Sequence, residues 1–488
     1  MNEREVSILT STIPEFFGGR TKSLLKRARL FTESGINVRI ITTNFNQNYP
    51  QVISSLIARQ YLNEEIGFIN IFDYFKGSSV QKNNVNQFIQ NNFGDTDRYK
   101  AVKRDENLDY FDKLTQERIF SIRYVNDKII LIDVFKSEKR PKYRYYVSFQ
   151  GQVSKKRTYI NGTWKVIQDE ILNSNFKPVV TFKFVDNKKE QVWLHRGEDK
   201  IFKNEKDFFR YFFDNVLRAG ENVINDARLL DKPLLETERE VKKFFQLHST
   251  HLQNPMDYQS GIKKSYKSIL TTDQDVKIVT LTAAQSSVIV SELPNQKSKI
   301  VTIPHSTPSK NVDINKLKNH AVIVSRLNNA QKNITDGIVA FGIFHQKYPA
   351  YMLDIFGEGE SLESLKQLTK KMGLINNVIF HGYTDNPDEV YQLANFSIVS
   401  SNYEAFALNV LESIANGTQV VSYNVNFGPK EILGNKAGFI SIKNTPEALA
   451  ESMCEAVENP KSKKDIISRS SLYSDNVFIE RWSKLLEI

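Results

Sequence analysis

Apolar residues along this chain follow two rhythms. In residues 1–75, 205–312 and 313–470, short apolar runs alternate with stretches of helical period, as parallel strands and their connecting helices do. EVSILTST (5–12) predicts a strand, Gly18-Gly19 a loop, Thr21 to Ser34 a helix ended by Gly35, and VRIITTN (38–44) the next strand. The same rhythm returns in a helix around 205–218, then in ENVIND, KKFFQLHS, KIVTLT and KIVTIPHS, and again in AVIV (321–324), FSIVSS (396–401) and QVVSY (419–423). Between 76 and 204 it stops. There RIFSIRYV, KIILIDVF, KYRYYVSF, KRTYING, TWKVIQ, PVVTFKFV and EQVWLH read as strands, separated by ND, NG and DN pairs that suit hairpin turns. The pattern predicts an α/β chain: an N-terminal α/β domain (1–75 and 205–312) interrupted by a β-rich insertion (76–204), then a second α/β domain (313–470). A polar linker, SKNVDINKLKNH (309–320), joins the domains, and an amphipathic helix in 471–488 crosses back onto the first.

The segment SNYEAFALNVLESIANG carries two acids eight residues apart, Glu404 in the loop after one strand and Glu412 in the helix that follows. Phe406 to Asn416 reads as that helix, closed by Gly417. A rise of about 1.5 Å per residue puts the carboxylates roughly 12 Å apart, with the free N–H groups of Phe406, Ala407 and Leu408 between them. Such N–H groups favour an anion. A diphosphate on the helix start, with a polyhydroxyl group at each end reaching one Glu, describes a nucleotide-sugar. Upstream, Arg326 and Lys332 in SRLNNAQKN offer two cations at the same edge of the sheet, where open α/β folds bind ligands. IFGEGE (355–360) and IFHGYTDNP (379–387) are two more strand-to-loop transitions, with Gly357 letting a flat ring approach and Tyr383 beside the second turn.

An Arg and Lys pair, a GEG turn, a GY turn and E-x7-E in that order resemble the nucleotide-sugar domain of retaining glycosyltransferases of family 4. The resemblance implies the GT-B fold, two Rossmann-like domains facing a cleft. It assigns Gly18 and Gly19, at the opening βαβ unit, to the donor diphosphate. It also places a His of QLHSTHL (246–252) at the reaction centre, His248 by position, with His251 beside it; since only one needs to face the cleft, a satisfied core His fits His251 better than His248. Three residues depart from the usual pattern. Lys332 follows Arg326 by six positions instead of five, and Ala405 and Ala407 stand where Gly is frequent.

Composition narrows the classes. With 488 residues, 40% hydrophobic and 25% charged, the chain is long enough for two or three globular domains. No apolar run approaches the roughly 20 residues that span a bilayer, and MNEREVSILT lacks the features of a signal peptide. These features predict a cytoplasmic protein, with possible peripheral contact at the inner membrane face. One Cys and seven His supply no ligand set at metal spacing, so no metal and no cofactor are expected. Asp95-Thr-Asp97 and Asp273-Gln-Asp275 read as chance turns and not as metal-holding DxD motifs. The net charge of +10 calls for a polyanionic partner. Nucleic acid shows no recognised motif here; a membrane face or a phosphate-rich polymer fits equally on charge alone.

An insertion at this position, after FINIFDYFKG, is similar to that of the wall teichoic acid α-glycosyltransferases of Gram-positive bacteria. The resemblance implies transfer of a hexose, glucose or N-acetylglucosamine, from a UDP-sugar to a polyanionic polyol-phosphate polymer with α linkage, by a homotrimer assembled through the insertion. Under it Glu404 holds the transferred sugar, Glu412 the ribose, and Arg326 with Lys332 the departing diphosphate. A protein acceptor and a non-catalytic GT-B partner subunit are the competing readings.

Overall fold

A computed structural model describes residues 5–77, 84–310 and 319–488. Most of the predicted linker and residues 78–83 therefore lie outside the described residues. The chain divides into two compact units, Met1–Lys242 and Lys243–Ile488.

The first unit has a parallel sheet in the order Gly67–Asn70, Asn37–Thr42, Glu5–Thr10, Asn222–Asn225. Its two central strands, Glu5–Thr10 and Asn37–Thr42, are buried on both faces, as expected where helices cover the two sides. The helix after the first strand, Gly19–Glu33, begins one residue beyond its Gly18 N-cap, so Gly19 is helical and not part of the predicted loop.

The insertion is one antiparallel meander of ten strands running in chain order from Tyr99–Arg104 to Lys200–Phe202. All seven predicted runs are strands in it. Its tight turns follow the dipeptides: Asn126 and Asp127 (φ 49° and 60°) and Asp186 and Asn187 (φ 48° and 61°) each supply the paired positive φ of a type I′ hairpin. Three strands were not predicted. Tyr99–Arg104 and Asn107–Asp112 carry too many charges to show a clear apolar period, and Lys200–Phe202 has only three residues. The helix Val85–Phe93 closes this core, with Phe93 stacked 4.1 Å from Phe120 and Phe88 lying 4.6 Å from Tyr145. The insertion is joined to the parallel-sheet part of its unit by Phe72 against Phe182 (5.9 Å), by Gln47 Nε2 donating to the Val147 carbonyl (2.8 Å), and by the Phe149 N–H donating to Asn48 Oδ1 (3.0 Å).

The second unit opens with the parallel strands Lys242–Gln246, Val276–Thr280 and Ile300–Thr302. A six-stranded parallel sheet follows, in the order Val378–Gly382, Met352–Phe356, His320–Val324, Phe396–Val399, Gln419–Ser422, Gly438–Ile440. At the chain end, Thr307 donates its N–H to the Tyr473 carbonyl (2.9 Å), so the last helix, Asp475–Leu486, starts beside residue 307 and buries Trp482 completely. No described helix is long and apolar enough to cross a membrane.

Candidate functional site

In the six-stranded sheet, chain order reverses between His320–Val324 and its neighbour Phe396–Val399. The carboxyl edge between two such strands is the switch point at which open α/β sheets bind ligands. Arg326 and Lys332 are in the loop after the first strand and Glu404 in the loop after the second. Lys332 ends the short helix Asn329–Lys332, which Asn328 caps by accepting from the Gln331 N–H (3.0 Å). Its Nζ meets Glu404 Oε1 at 2.5 Å, and Ser401 Oγ donates to the same oxygen at 2.7 Å. Both partners are largely buried, their side chains 14% and 6% exposed. The loops are stitched together around this pair: the Asn402 N–H donates to the Gln331 carbonyl (2.8 Å), and Asn402 Nδ2 donates to that of Ala330 (3.1 Å). Arg326 is exposed, with Nη2 reaching Gln331 Oε1 at 3.4 Å. Lys332 and Glu404, expected to serve diphosphate and sugar separately, thus form one charge-balanced unit.

The helix after Glu404 starts later than the sequence predicts, at Leu408 and not Phe406, and runs to Ala415. Ala407 adopts φ 69°, ψ 68°, a left-handed conformation that a helix cannot continue through, and Phe406 stays outside. Across the loop Gly428, at φ 99°, packs so closely on the Phe406 carbonyl that a Cβ there would collide with it. The N–H groups at this helix start therefore belong to Leu408 and Asn409, since that of Val410 reaches the Ala407 carbonyl (3.0 Å). The far end is as predicted. The Gly417 N–H bonds the Ile414 carbonyl (3.1 Å) and the Thr418 N–H that of Ser413 (3.1 Å), a Schellman pair around Gly417 at φ 70°. Glu412 is half-buried on this helix. Burial, with Glu412 and Asp388 nearby, pushes the Tyr391 phenol well above its ordinary value.

The GEG turn has a protein reason. Gly357 (φ 142°) and Gly359 (φ 159°) press on the carbonyls of Ser325 and Leu327, where any Cβ would collide. The Leu327 N–H bonds the Glu358 carbonyl (2.9 Å). The space a Cβ would take at Gly357 is filled by the Arg326 loop. Tyr383 is exposed, just past Gly382.

His248 is half-buried at the end of the strand Lys242–Gln246. It stacks on His305 (5.8 Å between ring centres, 18°), and His305 meets Phe406 edge-on at 5.2 Å. His305 was not singled out from the sequence, although KIVTIPHS places it after a strand just as QLHS places His248. His251 is buried completely, but it is not satisfied: neither ring nitrogen has a hydrogen-bond partner among the described residues. Desolvation, with Lys263 adding to it, lowers its pKa to about 4, so the ring is neutral. Gly18 and Gly19 belong to the first unit, and a Cβ at Gly18 would meet nothing within 4 Å. Asp95 accepts from the Asp97 N–H (2.9 Å) as the cap of a short turn. Among the described residues no three His, Cys, Asp or Glu are grouped to hold a metal ion.

Residues 306–472, which contain the switch-point loops and the Glu404 segment, match the family described as Glycosyl transferases group 1. The chain has the GT-B fold. Along nearly its whole length it resembles the wall teichoic acid α-glycosyltransferases. It is 26% identical to the poly(glycerol-phosphate) alpha-glucosyltransferase of Bacillus subtilis (strain 168), over 97% of this chain and 74% of that protein. It is 24% identical to the poly(ribitol-phosphate) alpha-N-acetylglucosaminyltransferase of Staphylococcus aureus (strain COL), over 96% of each. Among solved structures, a mutant of S. aureus TarM in complex with fondaparinux, alpha-GlcNAc-glycerol and UDP superimposes with a TM-score of 0.88 at 21% identity, covering 99% of this chain and 100% of that one. The pneumococcal O-GlcNAc transferase GtfA, in complex with UDP and GlcNAc, gives 0.79 at 18% identity, covering 100% and 99%.

Proposed function

We propose that the protein transfers a hexose, glucose or N-acetylglucosamine, from a UDP-sugar to a polyol-phosphate polymer of the wall teichoic acid kind, forming an α linkage with retention. The observation that carries this reading is the Lys332 and Glu404 pair at the switch point, next to the start of the helix that bears Glu412. Departure of UDP leaves negative charge on its β-phosphate, and Arg326, Lys332 and the N–H groups of Leu408 and Asn409 stabilise that charge. Glu404, held by Lys332 and Ser401, then presents its second oxygen to a sugar hydroxyl, and Glu412 takes the ribose. His248 stands against the sugar near the reacting carbon. A polymer of phosphodiesters suits a chain of net charge +10. We take the active form to be a homotrimer assembled through the insertion, working in the cytoplasm or against the inner membrane face, without a metal cofactor.

The likeness to the pneumococcal O-GlcNAc transferase favours a second reading, in which the acceptor is a protein. One experiment separates the two. The chain is incubated with UDP-glucose or UDP-N-acetylglucosamine and with poly(glycerol phosphate), poly(ribitol phosphate) or a serine-rich polypeptide. Released UDP and the anomeric signal of the product are then measured. Turnover on a polyol phosphate with an α anomeric proton supports the first reading, and turnover on the polypeptide alone replaces it with the second. A chain that binds UDP but turns over no donor with any acceptor is a non-catalytic partner.

A further inference from the structure

The segment Asn426 to Glu431 has no role in the motifs described above, yet it makes an unusual set of contacts. Glu431 places one carboxylate oxygen on each of the first two N–H groups of the helix Ala283–Glu292, Oε1 on Ala283 (3.0 Å) and Oε2 on Ala284 (3.2 Å). Thr282 Oγ1 takes the Gln285 N–H (3.1 Å), so three donors of that first turn are satisfied. A bidentate carboxylate on a helix N-terminus combines charge assistance with a favourable dipole.

The same segment is tied in further at both of its ends. Tyr258 OH donates to the Asn426 carbonyl (2.8 Å), Asn426 Nδ2 donates to that of Pro255 (2.8 Å), and Phe427 packs on His251 (6.1 Å) and Tyr258 (5.8 Å). On its other side Tyr473 OH donates to the Glu431 carbonyl (3.1 Å), and the Arg469 guanidinium holds the carbonyls of Glu431 and Ile432. Between these anchors lies Gly428, whose Cα backs the Phe406 carbonyl without room for a side chain. Phe406 in turn faces His305, on which His248 stacks.

We infer that Glu431 is a positioning residue for the donor site: by clamping the 426–431 segment to the start of the helix Ala283–Glu292, it sets the Phe406 loop against His305 and His248. The inference rests on the donor-site reading above for its consequence in turnover, but its structural half stands apart from it. Glu431 touches no proposed substrate group, and it acts through Gly428 and the left-handed turn at Ala407.

The test compares Glu431→Gln with Thr282→Ala in the full chain. Thr282→Ala removes a cap from the same helix without touching the clamp, and so reports what loss of helix stability alone does. Hydrogen exchange at the amides of residues 404–410 is the first readout, and it needs no activity. Exchange there should be at least several-fold faster in Glu431→Gln than in wild type, and unchanged in Thr282→Ala. The second readout is turnover per folded molecule, where displacement of the loop should lower kcat about tenfold in Glu431→Gln, with less than a twofold change in Thr282→Ala. Glu431→Asp, which keeps the charge on a shorter arm, should recover part of kcat. Equal exchange in both variants and wild type overturns the inference. So does a kcat loss that simply follows the melting temperature across all three variants. A wild type without turnover overturns the donor-site reading instead and leaves the exchange result to decide the clamp.

Discussion

Lys332 and Glu404, 72 residues apart in the chain, are joined at 2.5 Å in a pair that is almost wholly shielded from water. Removing one partner of such a pair leaves an uncompensated buried charge, at a cost of about 3–5 kcal/mol. Glu404→Ala should therefore destabilise the second unit as well as stop transfer. Glu404→Gln keeps the shape and an acceptor for Ser401 but loses the charge. It should abolish turnover while UDP affinity, measured by calorimetry, falls by no more than about threefold, because its partner is the sugar. Glu412→Ala should instead weaken UDP itself by at least about tenfold, the loss of one good hydrogen-bonded contact to ribose. Equal loss of UDP affinity in both variants would contradict this division of labour.

In the proposed reaction the cationic side chains and the helix start take the place of the metal that a DxD motif would hold, so transfer should survive excess EDTA. Activity lost on chelation and restored by Mn²⁺ or Mg²⁺ would show that the developing charge is stabilised by an ion.

Much of this site is written in local sequence, and the rest is not. The order of Arg326, Lys332, the GEG turn, the GY turn, Glu404 and Glu412 is legible because each lies at or just beyond the end of a strand, and apolar runs mark strand ends well. Gly417 is legible because a C′ glycine is a local signal. The pairing of Lys332 with Glu404, the stack of His248 on His305, and the late helix start at Leu408 are decided by neighbours distant in the chain. Ala407 is a strong helix former by propensity, yet it takes a left-handed conformation in a loop where Gly428 closely approaches the Phe406 carbonyl. The charged strands Tyr99–Arg104 and Asn107–Asp112 were hidden for a similar reason: pairing with neighbours, more than their own pattern, makes them strands.

Ala407 offers a direct check on that strain. A non-glycine residue in the left-handed region costs about 1–2 kcal/mol, partly offset in glycine by its greater freedom when unfolded. Ala407→Gly should stabilise the second unit by about 0.5–1 kcal/mol and leave kcat within twofold, since the backbone N–H groups of Leu408 and Asn409 are kept. A destabilised variant in urea unfolding would show that the turn is held in some other conformation.

Two buried groups should give the two units opposite pH responses. His251 has its pKa lowered by burial from 6.5 to about 4, so the unfolded state binds its proton first on acidification. Its contribution is intact above pH 6.5 and is lost as pH falls towards 4, amounting to about 3 kcal/mol for that shift. His251→Leu should flatten the acid limb of second-unit stability. Asp231, in the first unit, has its pKa raised by burial from 3.8 to about 7, against the pull of Arg228 and Asn225. Here the folded state holds the proton longer. The stabilisation is present below pH 3.8 and is lost as pH rises through 7, so Asp231→Asn should gain stability at pH 8. Melting curves from pH 4 to pH 8 with parallel slopes for wild type and His251→Leu would remove the histidine from this account.

Under the proposed function, the insertion is where assembly would change how the protein meets a long polymer. Its meander ends in two edge strands: Lys200–Phe202, with the helix Glu205–Val216 against it, and Tyr99–Arg104. The second edge presents backbone donors and acceptors that pairing between chains would satisfy, and linked copies would raise the local concentration of a repeating acceptor. Deleting the whole insertion is a poor test, because Phe182, Val147 and Phe149 fasten it to the parallel-sheet part of the same unit. Single prolines are cleaner. Neighbouring N–H groups in a strand point in opposite directions, so of Ala101→Pro and Val102→Pro one removes a donor within the meander and the other a donor facing outward. The outward variant should melt like wild type, run as a monomer in light scattering, and release UDP on a short acceptor at near the wild-type rate. Its advantage on long poly(glycerol phosphate) should be gone. A wild type that is monomeric, or two proline variants that both remain trimeric, would rule out assembly through this edge.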